Sequence, residues 1–523
     1  MALAKFFDKS ALAASHILQG YDRESFEARL LGTRVEIAFD QSATNSPEGI
    51  ATLDLLIRLL ARLYPLLLLT ATEEAAAPCL IRLKTLATSI NPDIEIVSNL
   101  EDTLPTISVV VGSFHVQRQN PIFYIGSIGW TVGFSLDVPV GSGSTANPFG
   151  AGAAACFGAA NVFRLVFADQ LPSGSGPDSA FRLSLFDFEH LPTDDSRYAI
   201  SSQIELPETV LVGLGAVGQG CIWALSRLPS LRGELHLVDD ETVDLSNLQR
   251  YVLTSLQDIG AEKTKLAKAS LKQKGLNVEP HPMKWQDFLN SRGIWHLPMV
   301  LVAVDNAPDR IAIQGSLPEK IINAWTQTAD LGVSRHMNFQ HDACLVCLYH
   351  PQGEKPSESQ VVADALGLSP YESDVRSLLY NNSPLDIIWL ERVAQAKGLD
   401  IGDLLPFVGK AIRSFYSQDV CGGLLLGAVQ DRQTETPMAF QSALAGILLA
   451  SELVIEAGQL RSKPIPALTR VNLLRPITPI LEESLFKSES CVCSDHHFLT
   501  QYARKLRWSG DIGQWAKVSS IHD

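Results

Sequence analysis

Short apolar blocks recur along the chain, and they alternate between two periods. Arg34-Val35-Glu36-Ile37-Ala38-Phe39 alternates and predicts a strand, while Ile50 to Leu63 carries leucines at helical spacing. Leu66 to Leu69, Ile94 to Val97 and Ile107 to Val111 predict further short strands, after a helical lead-in over residues 11–32. The rhythm returns at Thr209 to Val212, Leu235 to Val238 and Lys320 to Trp325, with a helix from about Val217 to Leu228. Alternating strands and helices predict an α/β fold whose mostly parallel sheets are covered on both faces. After Tyr349 the pattern is helical, including Ile387 to Ala396 and Leu404 to Phe415, and Ala439 to Glu456 is one long apolar helix. Gly141 to Ala168 is rich in Gly, Ala and Ser and reads as close helix packing against the later half, with a second glycine loop as the alternative. Leu171 to Arg197, with its Ser-Gly-Pro-Asp cluster, reads as loop and linker, and Arg507 to Asp523 as a surface tail.

Composition narrows the function classes. The 523 residues are 46% hydrophobic and 19% charged, which suits two or three domains with large cores and excludes a disordered chain. A formal net charge of −15 argues against nucleic acid as a partner and fits a partner with a basic surface. The first eight residues carry an acid and no signal-peptide pattern. Leu55 to Thr70 is interrupted by Arg58, Arg62 and Pro65 and is too short to span a bilayer. The expectation is a soluble cytoplasmic protein without a membrane partner.

Eight cysteines in a chain this long are no disulfide framework. Cys79, Cys156 and Cys221 stand among apolar or small residues and read as core. Cys344 and Cys347 form a C-x-x-C, and Cys491 and Cys493 a late C-x-C. Four thiolates suit a tetrahedral structural Zn²⁺ with no open position; His496 or His497 replacing one cysteine, or a redox role for the C-x-x-C, are the alternatives.

The densest chemistry lies in residues 208–310. Gly213, Gly215 and Gly218 come after a buried strand in the pattern G-x-G-x-x-G, and Asp239-Asp240 ends the next strand. Glycines let the backbone approach phosphate or ribose, a helix N-terminus offers free N–H groups, and an acid at the strand tip accepts from ribose hydroxyls. An NAD dehydrogenase would share that unit. The residues beyond it point elsewhere: Asn247, Arg250, Lys263 and Asp305-Asn306 with Arg310 supply cations, an amide and a metal carboxylate, as a triphosphate with Mg²⁺ requires. Lys263 sits in Asp258-Ile259-x-x-x-Lys263, with Lys265 as its rival.

Gly213-Leu214-Gly215-Ala216-Val217-Gly218, Asp239, Ser246-Asn247-Leu248-Gln249-Arg250, Lys263 and Asp305-Asn306, in that order over residues 205–345, resemble the ubiquitin-activating and related adenylyltransferases, including the bacterial thiamine- and molybdopterin-pathway activating enzymes. The family usually has Gln after that Arg; here it is Tyr251, read as drift beside the site. The resemblance implies two Rossmann-like adenylation domains, an inactive one over 1–200 and an active one beginning at 201–348. A helical insert around a catalytic cysteine would occupy 349–420, and 421–523 would complete the active domain with a crossover segment and the late zinc ligands. The first half has Asp40-Gln41-Ser42-Ala43-Thr44-Asn45 where a glycine turn would stand, which fits a fold that has lost its nucleotide.

The same resemblance assigns roles. ATP and Mg²⁺ would be bound by Gly213, Gly215, Gly218, Asp239 on the ribose, Asn247, Arg250 and Lys263 on the phosphates, and Asp305 on the metal. Arg23, in Tyr21-Asp22-Arg23, would reach the phosphates across the domain interface, with an ordinary surface arginine as the alternative. Cys421, followed by Gly422-Gly423 and an apolar run, resembles the family's reactive cysteine, with a core cysteine as the alternative. The implied activity is adenylation of the C-terminal carboxylate of a ubiquitin-like protein, then a thioester on Cys421 and transfer to a conjugating enzyme. A homodimer is a further expectation. By analogy alone, the compact bacterial style suggests an operon-encoded ubiquitin-like system, with antiviral defence as one setting. The competing readings are a sulfur-carrier or small-peptide adenylyltransferase without thioester transfer, an NAD-dependent dehydrogenase, and a non-catalytic scaffold.

Overall fold

The computed structural model describes residues 3–98, 103–191, 200, 203–273, 275–292, 296–328, 330–349, 357–416, 436–478 and 481–506. Two sheets carry the fold. The first contains β1 (Val35–Phe39), β2 (Leu66–Ala71), β3 (Glu95–Val97), β4 (Ile107–Val111), β5 (Ile122–Ile128), β6 (Thr131–Ser135) and β7 (Phe181–Ser184), in the order β3-β2-β1-β4-β5-β6-β7. The second contains β8 (Ile204–Glu205), β9 (Thr209–Val212), β10 (Leu231–Val238), β11 (Leu276–His281), β12 (Met299–Val302), β13 (Lys320–Thr326), β14 (Leu331–His336), β15 (Leu468–Val471) and β16 (Glu482–Glu483). Its order is β11-β10-β9-β12-β13-β14-β15-β16, with β8 paired to β10. Each sheet runs parallel through its first five positions and turns antiparallel after the fifth, at β5–β6 and at β13–β14. In both, chain order reverses between the first strand and its two neighbours, the point where open α/β sheets bind ligands.

Both sheets belong to one compact unit, Met1–Tyr349 with Thr436–Asp523. Two 19-residue helices, Pro148–Val166 and Ala439–Ala457, lie in its core. They are long and apolar enough to cross a membrane by length and composition, yet their apolar windows are 89% and 94% buried inside the protein. Small residues allow their close approach. A Cβ on Gly152 would stand 2.7 Å from both Ile447 and Trp223, and one on Gly446 would stand 2.2 Å from the Val217 carbonyl oxygen. The Gly/Ala-rich stretch is therefore packing and not a second glycine loop.

Two expectations change. β1 alternates in sequence, but all five residues are buried. The Glu36 carboxylate is accommodated by Arg118 at 2.8 Å, with Ser108 and Thr70 also donating to it. The 171–197 stretch is not all linker: Phe181–Ser184 pairs antiparallel with β6 as the edge strand β7. A four-residue strand beside a Gly/Pro-rich loop leaves too little periodicity to read.

The second compact unit, His350–Glu435, has its own apolar core including Val362, Leu366, Leu379, Leu390, Phe407 and Phe415. Its helices include Glu358–Leu366, Glu372–Tyr380 and Ile387–Lys397. The predicted helix over 404–415 is broken into short turns, with Pro406 in a 3₁₀ turn and Gly409 at φ +88°. Cys421 lies outside the described residues.

Candidate active site

The glycine turn leaves β9 at the switch point of the second sheet. Gly213 has φ +91°, and a Cβ there would stand 2.8 Å from the backbone of Ala303 at the end of β12. A Cβ on Gly218 would stand 2.2 Å from the Gly213 carbonyl oxygen. Glycine at both positions lets strand, turn and helix close up. The next helix, Ala216–Leu225, has no side-chain cap, since its N-cap is Gly215. Its first N–H groups are available to an anion, with the positive end of the helix dipole behind them.

Asp239 closes one side. Its carboxylate accepts from the Leu214 N–H at 2.7 Å and the Glu241 N–H at 2.9 Å, so it is aimed back at the glycine turn. Asp240 is exposed instead, which separates the two adjacent acids. Lys263 Nζ is buried 4.0 Å from Asp239 Oδ1 and pairs with Glu241. Burial raises the Asp239 carboxyl above its ordinary value, against the pull of Lys263. Burial alone would lower the Lys263 ammonium, but Tyr251, Asp239 and Glu241 together hold it above the usual lysine range. Lys263 is thus a buried, charged lysine beside Asp239. Lys265 is exposed and paired with Glu262, so of the two lysines only Lys263 belongs to the cluster.

Arg250 and Tyr251 enter from the 3₁₀ turn Leu245–Gln249. Tyr251 is not drift beside the site; it is buried within it. The Lys263 Nζ lies 5.2 Å and the Arg250 guanidinium carbon 5.8 Å from its ring centre, and a Cβ on Gly215 would come within 3.4 Å of its hydroxyl. Burial lowers the Arg250 guanidinium from its ordinary value, while Tyr251 and Asp305 favour its charge. Asp305 is exposed at the tip of the β12 region and accepts from Asn306 Nδ2 at 3.2 Å. Asn247 is engaged locally: its Oδ1 accepts from the Asp244 N–H at 2.9 Å in a capping box.

Two arginines read toward phosphate are engaged with other partners in this structure. Arg310 is buried and donates to the Val304 and Ala324 carbonyls and to Asn323, tying the ends of β12 and β13 together. Arg23 is exposed and paired with Asp8 at 2.5 Å and Glu27 at 2.9 Å. Exposed pairs of this kind are worth little and are easily exchanged.

Two residues that sequence reading passes over reach this site from the first half. Arg62 is buried and donates to the Tyr251 carbonyl at 2.5 Å and the Thr254 carbonyl at 2.7 Å. Arg58 donates to the Val252 carbonyl at 2.8 Å and to Asp54 at 2.9 Å. Asp54 in turn accepts from the Trp223 indole at 2.9 Å and from Arg227. The first half therefore grips the backbone directly after Arg250. Burial pushes Arg62 down to about 9, which leaves it charged at neutral pH. In the sequence both arginines show only as interruptions of an apolar run.

The four cysteines come together. Sγ atoms of Cys344 and Cys491 are 3.5 Å apart, as are those of Cys347 and Cys493, and all four lie within 4.8 Å of one another. Zn–S bonds of about 2.3 Å would place tetrahedral sulfurs about 3.8 Å apart, so the set fits Zn²⁺. His496 and His497 are exposed and not in the cluster. Around it the C-terminal helix His496–Leu506 is pinned by Lys505, which donates to the Ser316 and Leu317 carbonyls at 2.5 and 2.9 Å. Of the cysteines read as core, Cys156 and Cys221 are buried, with burial raising both thiols, whereas Cys79 is only half-buried.

Comparison with known proteins bears on both halves. Residues 197–491 match the ThiF family, and residues 38–168 match the family described as Prokaryotic E2 family C. The chain is 45% identical over 510 residues to the "Uncharacterized protein y4jF" of Sinorhizobium fredii (strain NBRC 101917 / NGR234), covering 97% of each. It is 27% identical over 181 residues to the adenylyltransferase and sulfurtransferase UBA4 of Debaryomyces hansenii, covering 32% of this chain and 40% of that one. It is 34% identical over 128 residues to the Nedd8-activating enzyme E1 catalytic subunit of Drosophila melanogaster, covering 24% of this chain and 28% of that one. The chain thus spans less than half of either of these last two relatives. With the glycine turn, Asp239 and the buried Lys263 in place and more than half its length matched, the chain belongs to the ThiF family, within the superfamily of ubiquitin-activating and ThiF-type adenylyltransferases.

Proposed function

We propose that this protein is a cytoplasmic enzyme that activates the C-terminal carboxylate of a ubiquitin-like protein with ATP and passes it on through Cys421. A carboxylate oxygen attacks the α-phosphorus of ATP, the α–β anhydride bond breaks, and pyrophosphate leaves with the negative charge. The Cys421 thiolate then attacks the acyl carbon, AMP leaves, and the thioester acyl group moves to the cysteine of a conjugating enzyme.

The observation that carries the adenylation step is Lys263, buried and charged beside Asp239 at the glycine turn. A triphosphate carries more negative charge than a dinucleotide's pyrophosphate, and a lysine together with a metal carboxylate suits it better. Asp239 accepts from the ribose hydroxyls, the turn and the helix N-terminus receive phosphate, and Arg250 and Lys263 balance the charge that builds as pyrophosphate departs. Asn247 supports the phosphates once its capping bond is exchanged. Asp305 is an exposed carboxylate suited to the Mg²⁺ that accompanies ATP, and that ion would offset phosphate charge. Arg23 joins from the N-terminal segment by giving up its surface pairs. The Drosophila relative's name and the match to a prokaryotic E2 family support a ubiquitin-like substrate.

The test is ATP–pyrophosphate exchange with a candidate ubiquitin-like protein, beside a non-reducing gel of wild type and Cys421→Ala. Exchange in both, with a reducible adduct only in wild type, is expected. Exchange without an adduct would favour the second reading, a sulfur-carrier adenylyltransferase, to which the name of the UBA4 relative lends support. Nicotinamide binding without exchange would overturn both.

A further inference from the structure

A second group of metal-ligating side chains lies on the second sheet, away from the cysteines. His236 faces the same side of β10 as Val238 and stands opposite Glu279 in the register with β11. Glu279 and His281 are two apart on β11 and share that face. His236 Nδ1 is 2.9 Å from His281 Nε2 and 3.6 Å from the Glu279 carboxylate. An ion bound at about 2.0–2.2 Å by two imidazoles and a carboxylate would set its ligand atoms about 3.3–3.5 Å apart, and the observed spacings bracket that.

The surroundings fit a bound cation. The other nitrogen of His236, Nε2, is buried 3.2 Å from Glu234 and 3.5 Å from Glu208 without a hydrogen bond to either. A metal-ligating imidazole characteristically gives its remaining N–H to a carboxylate, and a small shift of either side chain would supply that bond here. Among the described residues, three carboxylates, Glu208, Glu234 and Glu279, converge on the two imidazoles, while Arg292 is the cation that faces them and pairs with Glu208. Together these four groups leave an excess of two negative charges, which a divalent ion would cancel. Phe288 covers the inner side, with ring centres 5.9 Å from His236 and 4.8 Å from His281. Glu279 and His281 leave the outer side reachable from solvent.

We propose that His236, His281 and Glu279 form a second metal site, for a borderline divalent transition ion such as Zn²⁺ or Co²⁺, at the edge of the second sheet. Nitrogen and carboxylate ligands with an open position distinguish it from the closed thiolate site. The Asp239 N–H donates to the His281 carbonyl at 3.3 Å, so an ion here would fasten the edge strand beside the ribose acid.

The test uses the full chain, stripped with a chelator and dialysed against Co²⁺, with metal measured per chain. Wild type is expected to hold two equivalents. Glu279→Gln and His281→Gln should each hold one and keep the thiolate-to-cobalt charge-transfer absorption, whereas Cys347→Ser should lose that absorption and keep one. Glu234→Gln should weaken the second equivalent by about 10–100-fold. Glu279 is 45% exposed, so its variant tests the site without disturbing the core. A single equivalent in wild type that vanishes in Cys347→Ser would overturn the proposal, and so would a second equivalent that survives in both Glu279→Gln and His281→Gln.

Discussion

The two sheets have the same strand order and opposite contents at the same place. Between β9 and β12 of the second sheet, glycines and an uncapped helix leave room for an anion. Between β1 and β4 of the first sheet, the protein supplies its own. The Asp40 carboxylate accepts from the N–H groups of Ala43 and Ser113 at 3.0 Å each and from the Ser42 hydroxyl at 2.7 Å. Close by, Glu48 is buried and accepts from Ser127, Gly129 and Thr145. Where the second sheet leaves N–H groups open, the first is filled by two side-chain carboxylates. The strand order is kept with that place filled, because N–H groups paired with an internal carboxylate avoid the penalty of being buried without a partner.

The sharpest way to break this comparison is to change one charge in each sheet. Lys263→Ala should lower ATP–pyrophosphate exchange by about 10²–10³-fold, the loss expected for removing one aimed charge at a reacting phosphate. Asp40→Asn should leave exchange within about twofold while lowering stability in urea by about 1–3 kcal/mol, because three donors lose a charged acceptor. Equal effects on exchange would mean that the first sheet takes part in the chemistry.

The halves also cooperate, and Arg62 measures how much. Arg62→Met should cost about 3 kcal/mol in denaturant unfolding and lower exchange as well, since the backbone after Arg250 loses its grip. Arg62→Lys should restore more of the exchange than of the stability, a split that simple loss of packing would not produce.

Acid should part the halves next. Burial alone would raise Asp54, but Arg227 and Arg58 bring it from 3.8 down to about 2. Its contribution is therefore present above pH 3.8 and lost as pH falls through about 2, worth about 2–3 kcal/mol at neutrality. Urea midpoints followed downward from pH 5 should drop less steeply in Asp54→Asn than in wild type. The smallest effect is expected from Tyr251→Phe, which removes one hydroxyl from the lysine cluster. Exchange should fall by about 2–10-fold, in keeping with one hydrogen bond, with the melting temperature nearly unchanged.

How much is legible in the chain alone depends on distance along it. The glycine turn, Asp239 and Lys263 belong to one continuous motif, so their residue types and spacing announce the chemistry. The alternation of short apolar runs likewise announces two α/β sheets. Arg62 meets Tyr251 across 189 positions, and nothing local marks an arginine at a helix end as a clamp for a distant turn. Tyr251 resembles drift in the sequence because its value lies in what its ring touches. Arg310 resembles a phosphate ligand because a buried arginine that holds carbonyls and one that holds phosphate are the same letter. The late C-x-C is legible as a metal pair, but that it needs neither histidine depends on four sulfurs converging in space.

The thiolate cluster has a consequence for the order of assembly. Cys347 waits 146 positions for Cys493, and β14 waits almost as long for β15. On a ribosome adding about 5–20 residues per second, that is a delay of roughly 7–30 s. During it the second sheet has an unpaired edge, and two reduced thiols stand without their partners. The nucleotide turn, Asp239 and Lys263 are all made before the delay, whereas the Ala439–Ala457 helix that packs behind the turn is made during it. An ion held by all four thiolates could therefore be bound only once Cys493 has been made, after the glycine turn, Asp239, Lys263 and the Ala439–Ala457 helix.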